Sequence, residues 1–397
     1  MKDKALPEGW NKINITKVFT QISTTGKNIA TKDCLSVGKY PVIDQGAEYI
    51  SGYFNDETKV IPVENKVIVF GDHTRNFKLI DFDFIVGADG VKIFQPAKDI
   101  DPDFFYYQCL SLNLPNKGYH RHFRYLKECD FIYPSFSQQQ KLAKKFTVLL
   151  SQVAEIKQRL EKIPALLKTY RQSVLARAVN GELSAKWREE NGVSLESWVY
   201  EKAQHICDKV QSGSTPKGNP FEQNGTIPFL KVYNIVNQEL NFDYKPQFVT
   251  KEQHSQRSIT LPNDVLMNIV GPPLGKVTIV TNQYSEWNIN QAITLFRCNP
   301  RNLHYKFFYF VLREGRFIRE IEHDLKGIVG QINISLSQCR DMIVPVPTLE
   351  EQNYITQAVE KHLNFANQLE AQVNAALERV NLMTQAILAK GFRGELL

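Results

Sequence analysis

Three short strings in the sequence have residue types that carry out chemistry in other proteins. The segment GPPLGKV at 271–277 has one residue too few between its glycines for a phosphate-binding loop, and Val277 stands where such a loop needs Ser or Thr to hold magnesium. Asn219-Pro220 and Asn299-Pro300 lack the second proline of the N-P-P-Y string of amino-methyltransferases. No G-x-G-x-x-G cofactor string is present. The sequence therefore predicts no catalytic residues and no bound cofactor.

Cysteine and histidine spacing does not favour a metal site. The six cysteines (34, 109, 129, 207, 298 and 339) form no C-x-x-C pair, and we interpret them as reduced packing residues. His120 and His122 flank Arg121 without the helical spacing of metal ligands. The sequence also has no signal peptide and no apolar stretch long enough to cross a bilayer, so we expect a cytoplasmic protein.

Two long amphipathic segments organise the chain around these residues. Residues 134–184 align with 347–397 at a constant offset of 213, without gaps, although only nine of the 51 pairs are identical. Apolar residues recur in steps of three and four, which predicts two long helices with a seam that suits another helix. The seam residues are Leu142, Phe146, Leu150, Val153, Ile156, Leu160, Ile163 and Leu167 in the first segment, and Ile355, Val359, Leu363, Leu369, Val373, Val380 and Ile387 in the second.

Each predicted helix follows a strand-like, turn-rich segment, so the chain has a duplicated globular-helix order. We predict an α+β fold with domains at 1–133 and 187–346 and helices at 134–186 and 347–397. Antiparallel pairing of the helices as a coiled-coil spacer would place the domains at opposite ends of a rod. It would also return the C-terminus to the first domain, which gives a circular arrangement with an approximate two-fold axis. Duplex DNA is a common partner for such symmetry. Pro164 predicts a kink in the first helix.

The two globular segments share a series of local patterns. Each opens with a tryptophan, then an apolar pattern that predicts a short amphipathic helix, then strands, and then an aromatic helix whose rings we expect in the core. The paired patterns are Trp10 and Trp198; Ile15, Val18, Ile22 and Ala203, Ile206, Val210; strands 40–43 and 227–230; strands 67–70 and 265–267; and FFYY at 104–107 and FFYF at 307–310.

Charge is distributed unevenly along the chain. The net charge is zero over 10–136, +7 over 137–186, +3 over 198–349 and −2 over 350–397. Opposite charge along the two helices favours their pairing, although ordinary solvated helix faces explain the pattern equally well. A neutral first domain would need base contacts or a partner protein to bind DNA well.

Several strings resemble the DNA-specificity subunit of type I restriction–modification systems. The helical segments contribute PSFSQQQKLA (134–143), IPALLKTYRQSVLARAVNGELSAKWR (163–188), VPTLEEQ (346–352) and QVNAALERVNLMTQAILAKGFRGEL (372–396). The domains contribute VIVFGDHTRNFKLIDFDFIVGADGVKIF (67–94), RHFRYLK (121–127), IPFLKVYNI (227–235), GPPLGKV (271–277) and NINQAI (288–293). The C-terminal tail after the second helix is shorter than is common in that family.

This resemblance implies a non-catalytic reader of double-stranded DNA. Two target-recognition domains would bind the halves of a bipartite target. The helices would act as a spacer and as a docking surface for two modification subunits. Those partners would carry S-adenosylmethionine and methylate adenine at N6, and restriction and translocase subunits could join them.

Polar side chains on predicted loops and strand ends are the candidate DNA contacts. Base edges are read by Arg, Lys, Asn and Gln, and phosphates are held by basic and hydroxyl groups. Arg313, Arg316 and Arg319 recur every third residue, which fits a phosphate-facing stripe or a solvated face on one helix. The other candidates are His73, Thr74, Arg75, Asn76, Tyr119, His120, Arg121, His122 and Arg124 in the first domain, and Lys231, Tyr233, Asn234, Asn268, Lys276, Asn288, Asn290 and Gln291 in the second.

Two other classes of protein remain open at this stage. A coiled-coil scaffold with two globular heads would need no DNA. A self-contained enzyme would need a catalytic constellation that the sequence does not show.

Overall fold

The chain divides into two units, each built from one globular segment and parts of both long helices. The computed structural model describes residues 6–118, 120–218, 221, 225–324 and 333–397. Unit 1 comprises Met1–Lys162 with Val373–Leu397, and unit 2 comprises Ile163–Gln372. The predicted α+β class is confirmed by the mixture of helices and sheets in each unit.

The described residues of unit 1 form three small sheets. The strand orders are β1-β11, β2-β10-β7-β8 and β3-β9-β4-β5, and β6 also pairs with β9. The elements are β1 (Asn11–Asn14), β2 (Phe19–Ile22), β3 (Asn28–Ile29), β4 (Tyr40–Ile43), β5 (Gly52–Phe54), β6 (Val60–Ile61), β7 (Val67–Gly71), β8 (Phe77–Ile80), β9 (Phe84–Gly87), β10 (Val91–Pro96), α1 (Pro102–Ser111), α2 (Phe123–Lys127), β11 (Asp130–Tyr133) and the start of α3 (Phe136–Val179).

Unit 2 repeats much of this plan. Its sheets have the orders β12-β22, β13-β21-β18-β19, β17-β14-β20 and β15-β16. The elements are α4 (Ala185–Asn191), β12 (Val199–Lys202), α5 (Ala203–Ile206), β13 (Cys207–Ser212), β14 (Ile227–Leu230), β15 (Ile235–Val236), β16 (Glu239–Leu240), β17 (Phe248–Val249), β18 (Val265–Asn268), β19 (Val277–Ile279), β20 (Asn288–Ile289), β21 (Ile293–Cys298), α6 (Tyr305–Glu314), α7 (Arg316–Asp324), α8 (Leu336–Asp341), β22 (Ile343–Val346) and α9 (Leu349–Gly391).

The four-stranded sheet of each unit is buried on both faces. In β7, Ile68 and Phe70 join the aromatic core next to α1, while Val67 and Val69 join a second core on the opposite face. Strand β18 alternates in the same way between two cores of unit 2. Successive side chains of a strand point to opposite faces, so an unbroken apolar run is the pattern of a sheet that is covered on both sides.

The aromatic helices are core elements, as predicted. Phe104 and Phe105 of α1 and Phe307 and Phe308 of α6 are fully buried. Helix α1 begins where the Asp101 side chain accepts the amide hydrogen of Phe104 at 2.9 Å, with proline at its first position.

The two long helices are present, and they contact each other within each unit. In unit 1, Phe146 of α3 packs against Phe392 just after α9, with ring centroids 5.2 Å apart. Gly391 allows this approach, because a Cβ atom there would lie 2.2 Å from the Phe146 ring. In unit 2, the Tyr170 hydroxyl lies 2.6 Å from Nδ1 of His362, and Arg171 pairs with Glu370 at 2.7 Å.

Burial along the seam is uneven. Ile156 was predicted in the seam but is 45% exposed, because a three-residue step on an α-helix falls about 60° short of a full turn. The buried seam residues are Leu142, Phe146, Val153, Leu167, Ile355, Val359, Val373 and Val380, and the half-buried ones are Leu150, Leu160, Ile163, Leu363, Leu369 and Ile387.

A glutamine joins each globular segment to its long helix in the same way. In unit 1, Oε1 of Gln139 accepts the Asp101 amide hydrogen at 3.0 Å, and Nε2 donates to the carbonyls of Asp99 and Pro134. In unit 2, Gln352 accepts from the His304 amide at 2.7 Å and donates to the carbonyls of Asn302 and Pro347. Asp101 and His304 are the N-cap residues of α1 and α6, so each glutamine fixes the start of an aromatic helix.

Two local predictions were wrong. The amphipathic helix expected after Trp10 is a 3-10 turn at Ile15–Lys17 followed by strand β2, and its counterpart is the single helical turn α5 followed by β13. In both places an apolar residue every three or four positions comes from a turn that runs into a half-buried strand. Helix α3 continues through Pro164, and the kink predicted there stays a prediction.

Candidate nucleic-acid interface

Asp72 brings together two polar segments of unit 1 that lie far apart in the sequence. It follows strand β7 and is 3% exposed. Its carbonyl accepts the His122 amide hydrogen at 2.7 Å and lies 2.9 Å from Nδ1 of His122. Its Oδ1 accepts the Phe123 amide hydrogen at 2.7 Å. The predicted contact segments 73–76 and 120–124 therefore lie side by side.

Gln45 fixes the first of these segments. Its carbonyl accepts the Thr74 hydroxyl at 2.5 Å and the Asn76 side-chain amide at 3.1 Å, and its Oε1 accepts the His73 amide hydrogen at 3.2 Å. Arg75 adopts a left-handed conformation with φ of 66° and donates from Nη1 to the Leu114 carbonyl at 3.2 Å. The turn is thus held in one conformation before any ligand binds.

A basic depression of about 690 Å³ opens beside the second segment. It presents His120, Arg121 and Arg124 from the predicted set. His122 lies between them in sequence, but its side chain is buried against Asp72 and holds the loop. Tyr119 lies outside the described residues. The depression is also lined by four residues that the sequence reasoning did not select, Asp72, Lys92, Lys127 and Glu128, and by Phe123.

Three asparagines predicted as DNA contacts in unit 2 lie in the interior. Asn234, Asn268 and Asn288 are each 1% exposed. Asn234 donates to the carbonyls of Asn241 and Tyr244, Asn268 accepts the Lys276 amide hydrogen at 2.6 Å, and Asn288 lies 2.7 Å from Nδ1 of His254. The structure gives each a loop-holding contact, and direct base contact by them stays an untested prediction.

The remaining polar candidates of unit 2 are more accessible. The Lys231 ammonium lies 4.0 Å from the centre of the Phe221 ring, and burial lowers the pKa of Lys231. The Tyr233 hydroxyl donates to the Lys245 carbonyl at 3.3 Å, and the Gln291 side chain accepts the Thr215 hydroxyl. Lys276 is half-buried. Asn290 has a buried Oδ1 without a hydrogen-bond partner among the described residues. These side chains stay candidates for DNA contact.

The three arginines of unit 2 do not lie on one helix. Gly315, with φ of 85°, ends α6 after Arg313, and α7 begins at Arg316. Arg316 pairs with Glu320 at 2.7 Å and Arg319 with Glu314 at 2.5 Å, while Arg313 lies over the Tyr309 ring. The single helix was therefore a wrong prediction, and carboxylates already neutralise two of these charges.

Asp72, Lys92 and Lys127 were missed for understandable reasons. An aspartate that ends a strand looks like any solvated turn residue, and its partners come from a segment about 50 residues away. Lys92 lies within the mostly apolar strand β10, where a single lysine does not indicate a binding site. Lys127 ends the RHFRYLK string but was not among the predicted DNA contacts. The basic stretch at 121–127 was the available signal.

The described residues contain no cluster of three or more metal-ligating side chains. Within the same part of the chain, no helix is long and apolar enough to span a membrane.

Comparisons with known proteins match both units. A family model for the type I restriction modification DNA specificity domain matches residues 7–165 and 196–379. The specificity subunit of the type I restriction enzyme EcoBI from Escherichia coli is 31% identical over 277 residues, which cover 66% of this chain and 57% of that protein. The chain thus spans a little over half the length of such curated relatives.

Solved structures show the same fold across nearly the whole chain. One, described as the structural basis of complex assembly and conformational transition of the type I R-M system, has a TM-score of 0.70 at 17% identity, with coverage of 99% of this chain and 100% of that chain. The HsdS subunit from Thermoanaerobacter tengcongensis has a TM-score of 0.62 at 16% identity, with 99% of each chain covered.

Proposed function

The chain belongs to the family of type I restriction–modification DNA specificity proteins, and from this premise we propose that it is a non-catalytic, sequence-specific DNA-binding subunit. The observation that carries the proposal is the double match of the specificity domain, one to each unit. Two recognition domains on one chain suit a bipartite target in double-stranded DNA, with one half read by each unit.

In this proposal the bases are read by preformed loops. The turn 73–76 and the segment 120–124 of unit 1 are fixed by backbone hydrogen bonds to Asp72 and Gln45, so binding costs little ordering of the protein. Their exposed side chains, such as Arg121 and Arg124, carry the donors that base edges and phosphates require. Asp72 positions the loops and does not itself contact DNA.

We propose that the long helices act both as the spacer between the half-sites and as the docking surface for two modification subunits. Large apolar side chains are exposed on these helices in both units: Val148 and Leu382 in unit 1 are 56% and 73% exposed, and Leu166 and Phe365 in unit 2 are 65% and 57% exposed. These exposed apolar side chains are the ones that we propose a protein partner covers.

The modification subunits would supply S-adenosylmethionine and methylate adenine at N6, with restriction and translocase subunits as further partners. This chain would bind no cofactor itself. A scaffold without a DNA role would also expose apolar helix faces. It would not need the basic depression of unit 1, which favours the DNA-binding proposal.

Methylation-sensitive sequencing of host DNA, with and without the gene, tests the proposal. We expect one bipartite adenine-methylated motif that disappears when the gene is deleted and returns with the wild-type gene. Substitution of Arg121 by Ala should reduce methylation of that motif, and substitution of the exposed Lys32 by Ala serves as the control. A methylome that does not change on deletion would contradict the proposed function.

A further inference from the structure

The first globular segment concentrates its positive charge at one place. Residues 10–136 carry no net charge, yet Lys92, Arg121, Arg124 and Lys127 all line the depression of about 690 Å³ in unit 1. None of these four side chains forms an ion pair with another described residue. The positive charge of the depression is therefore available to an external anion.

Two acidic residues also line the depression, and they leave half of this positive charge uncompensated. Asp72 is 3% exposed, and its Oδ1 already accepts the Phe123 amide hydrogen at 2.7 Å. Glu128 is exposed to solvent and forms no ion pair within the described part of unit 1. The four basic residues outnumber the two acids, and His120 adds a further donor.

Both lysines of the depression lie over the ring of Phe123. Its ring stacks on Phe94 with centroids 5.6 Å apart and an interplanar angle of 21°, and it lies 6.4 Å from Phe70. Both of those rings are fully buried, so Phe123 is anchored in the core of unit 1. Phe123 itself is half-buried, and part of its surface reaches the depression.

The lysines approach this ring from two different elements. The Lys127 ammonium of α2 lies 4.7 Å from the ring centroid, and the Lys92 ammonium of β10 lies 6.0 Å from it. A cation–π contact holds an ammonium group in place without neutralising it, unlike a carboxylate. The arrangement contrasts with Arg316 and Arg319 of unit 2, whose charges are paired with glutamates.

We propose that Lys92 and Lys127, positioned by Phe123, form a clamp for a backbone phosphate of the DNA next to the half-site that unit 1 reads. This inference rests on the proposed function. A lysine ammonium is a compact point charge that binds phosphate without reading a base pattern. The clamp therefore contributes affinity and register, while the neighbouring loops contribute sequence selection.

The test measures the salt dependence of DNA affinity for the full chain bound to its modification subunits. The probes are a duplex with the methylated motif and a duplex with the unit 1 half-site scrambled, each titrated by fluorescence anisotropy over a range of salt. We expect the double variant Lys92→Ala, Lys127→Ala to make the slope of log affinity against log salt less steep by about 0.9, since the clamp neutralises one phosphate. Affinity for both duplexes should fall by the same factor.

The matched control is the double variant Lys32→Ala, Lys98→Ala, which removes the same charge from exposed positions of unit 1. It should leave the slope within about 0.3 of wild type, well below the effect of one phosphate contact. Phe123→Leu should keep the salt slope but weaken binding of both duplexes. Phe123→Tyr, which keeps an aromatic ring, should bind both duplexes as tightly as wild type. Thermal unfolding of each variant shows whether the fold is intact.

Each other result has a definite meaning. An unchanged slope in the Lys92, Lys127 variant would overturn the clamp while leaving the proposed function in place. A changed ratio between the two duplexes would make these lysines base readers, which also overturns it. Competition by inorganic phosphate beyond that of chloride at matched ionic strength would assign the site to free phosphate. A wild-type complex without selective DNA affinity would overturn the proposed function, and the clamp with it.

Discussion

The junctions between globular segment and long helix share one pair of equivalent residues and differ in the burial of the pair next to it. Gln139 and Gln352 make the same three kinds of backbone contact. The preceding residues do not behave alike: Gln138 is exposed, whereas Glu351 is fully buried. The shared glutamine sets the geometry of both junctions, and the neighbouring residue decides what else packs there.

Glu351 is the centre of a buried polar cluster in unit 2. Its Oε1 accepts from the Ser184 hydroxyl and from Nη1 of Arg188, both at 2.6 Å, and its Oε2 accepts from Nε1 of Trp198 at 2.9 Å. Helix α4 and the start of the second globular segment are thus tied to the first turn of α9. The two junctions show that the same fold can hold its globular segment to the long helix with or without a buried carboxylate.

The largest expected effect comes from removing that charge. Glu351→Ala should lower the free energy of unfolding by about 3 to 5 kcal/mol, because Arg188 is left buried and unpaired. Gln138→Ala, the equivalent change in unit 1, should stay within about 0.5 kcal/mol of wild type. Urea unfolding followed by tryptophan fluorescence measures both. Equal effects would show that burial of the carboxylate does not distinguish the junctions.

A smaller and equal effect is expected at the shared glutamines. Gln139→Ala and Gln352→Ala each leave a helix N-cap amide and two carbonyls without a partner, at a cost of about 1 to 3 kcal/mol. Calorimetric unfolding of the two variants should give losses that agree within about 1 kcal/mol, the scale of one hydrogen bond. A loss confined to one unit would mean that the junctions are not equivalent.

The smallest effect concerns two tyrosines at matching places in the aromatic helices. Burial raises the pKa of Tyr106 in α1 from 10.0 to about 12. Burial also raises the pKa of Tyr309 in α6, but the Arg313 cation opposes the shift. Because the folded pKa exceeds the unfolded value, the stability contributed by Tyr106 is complete below about pH 10 and is lost as the pH rises toward 12.

Thermal unfolding between pH 9 and 12 should therefore show a smaller alkaline loss of stability for Tyr106→Phe than for wild type. Arg313→Ala should raise the pKa of Tyr309 further, which absorbance of the tyrosinate at alkaline pH detects. An unchanged tyrosinate titration in the arginine variant would indicate that Arg313 does not reach Tyr309 in solution.

The sequence predicts an element correctly where a single repeating pattern of apolar residues spans the whole element. The long helices follow from the constant offset between 134–184 and 347–397, and the strands and aromatic helices from unbroken apolar runs. It failed at Ile15–Ile22, where a turn and a strand together imitate helical spacing. It also failed at Arg313–Arg319, although Gly315 is a residue type that ends helices and indicates that these arginines belong to two of them.

The candidate interface was harder to predict, because its parts meet only in the folded chain. The polar runs at 73–76 and 120–124 stand out in the sequence as isolated strings. The two strings lie side by side because Asp72, which precedes the first string, accepts hydrogen bonds from the second with its carbonyl and its carboxylate. A single sequence does not report which of many aspartates will be buried, nor that Asn234 and Asn268 turn inward.

The glutamine contacts at the junctions have a consequence for the history of the gene. The side chain of Gln139 forms hydrogen bonds with main-chain atoms of Asp99, Asp101 and Pro134, and that of Gln352 with main-chain atoms of its three equivalent partners. A hydrogen bond to the main chain does not depend on the side chain at that position, so the glutamine contacts place few demands on the sequence of the globular segment. The junction of unit 2 adds one demand, because Glu351 also accepts from the side chains of Ser184, Arg188 and Trp198. Under the proposed function, an exchange of the first globular segment by recombination within the helix-coding stretches would keep these glutamine contacts and change the half-site that unit 1 reads.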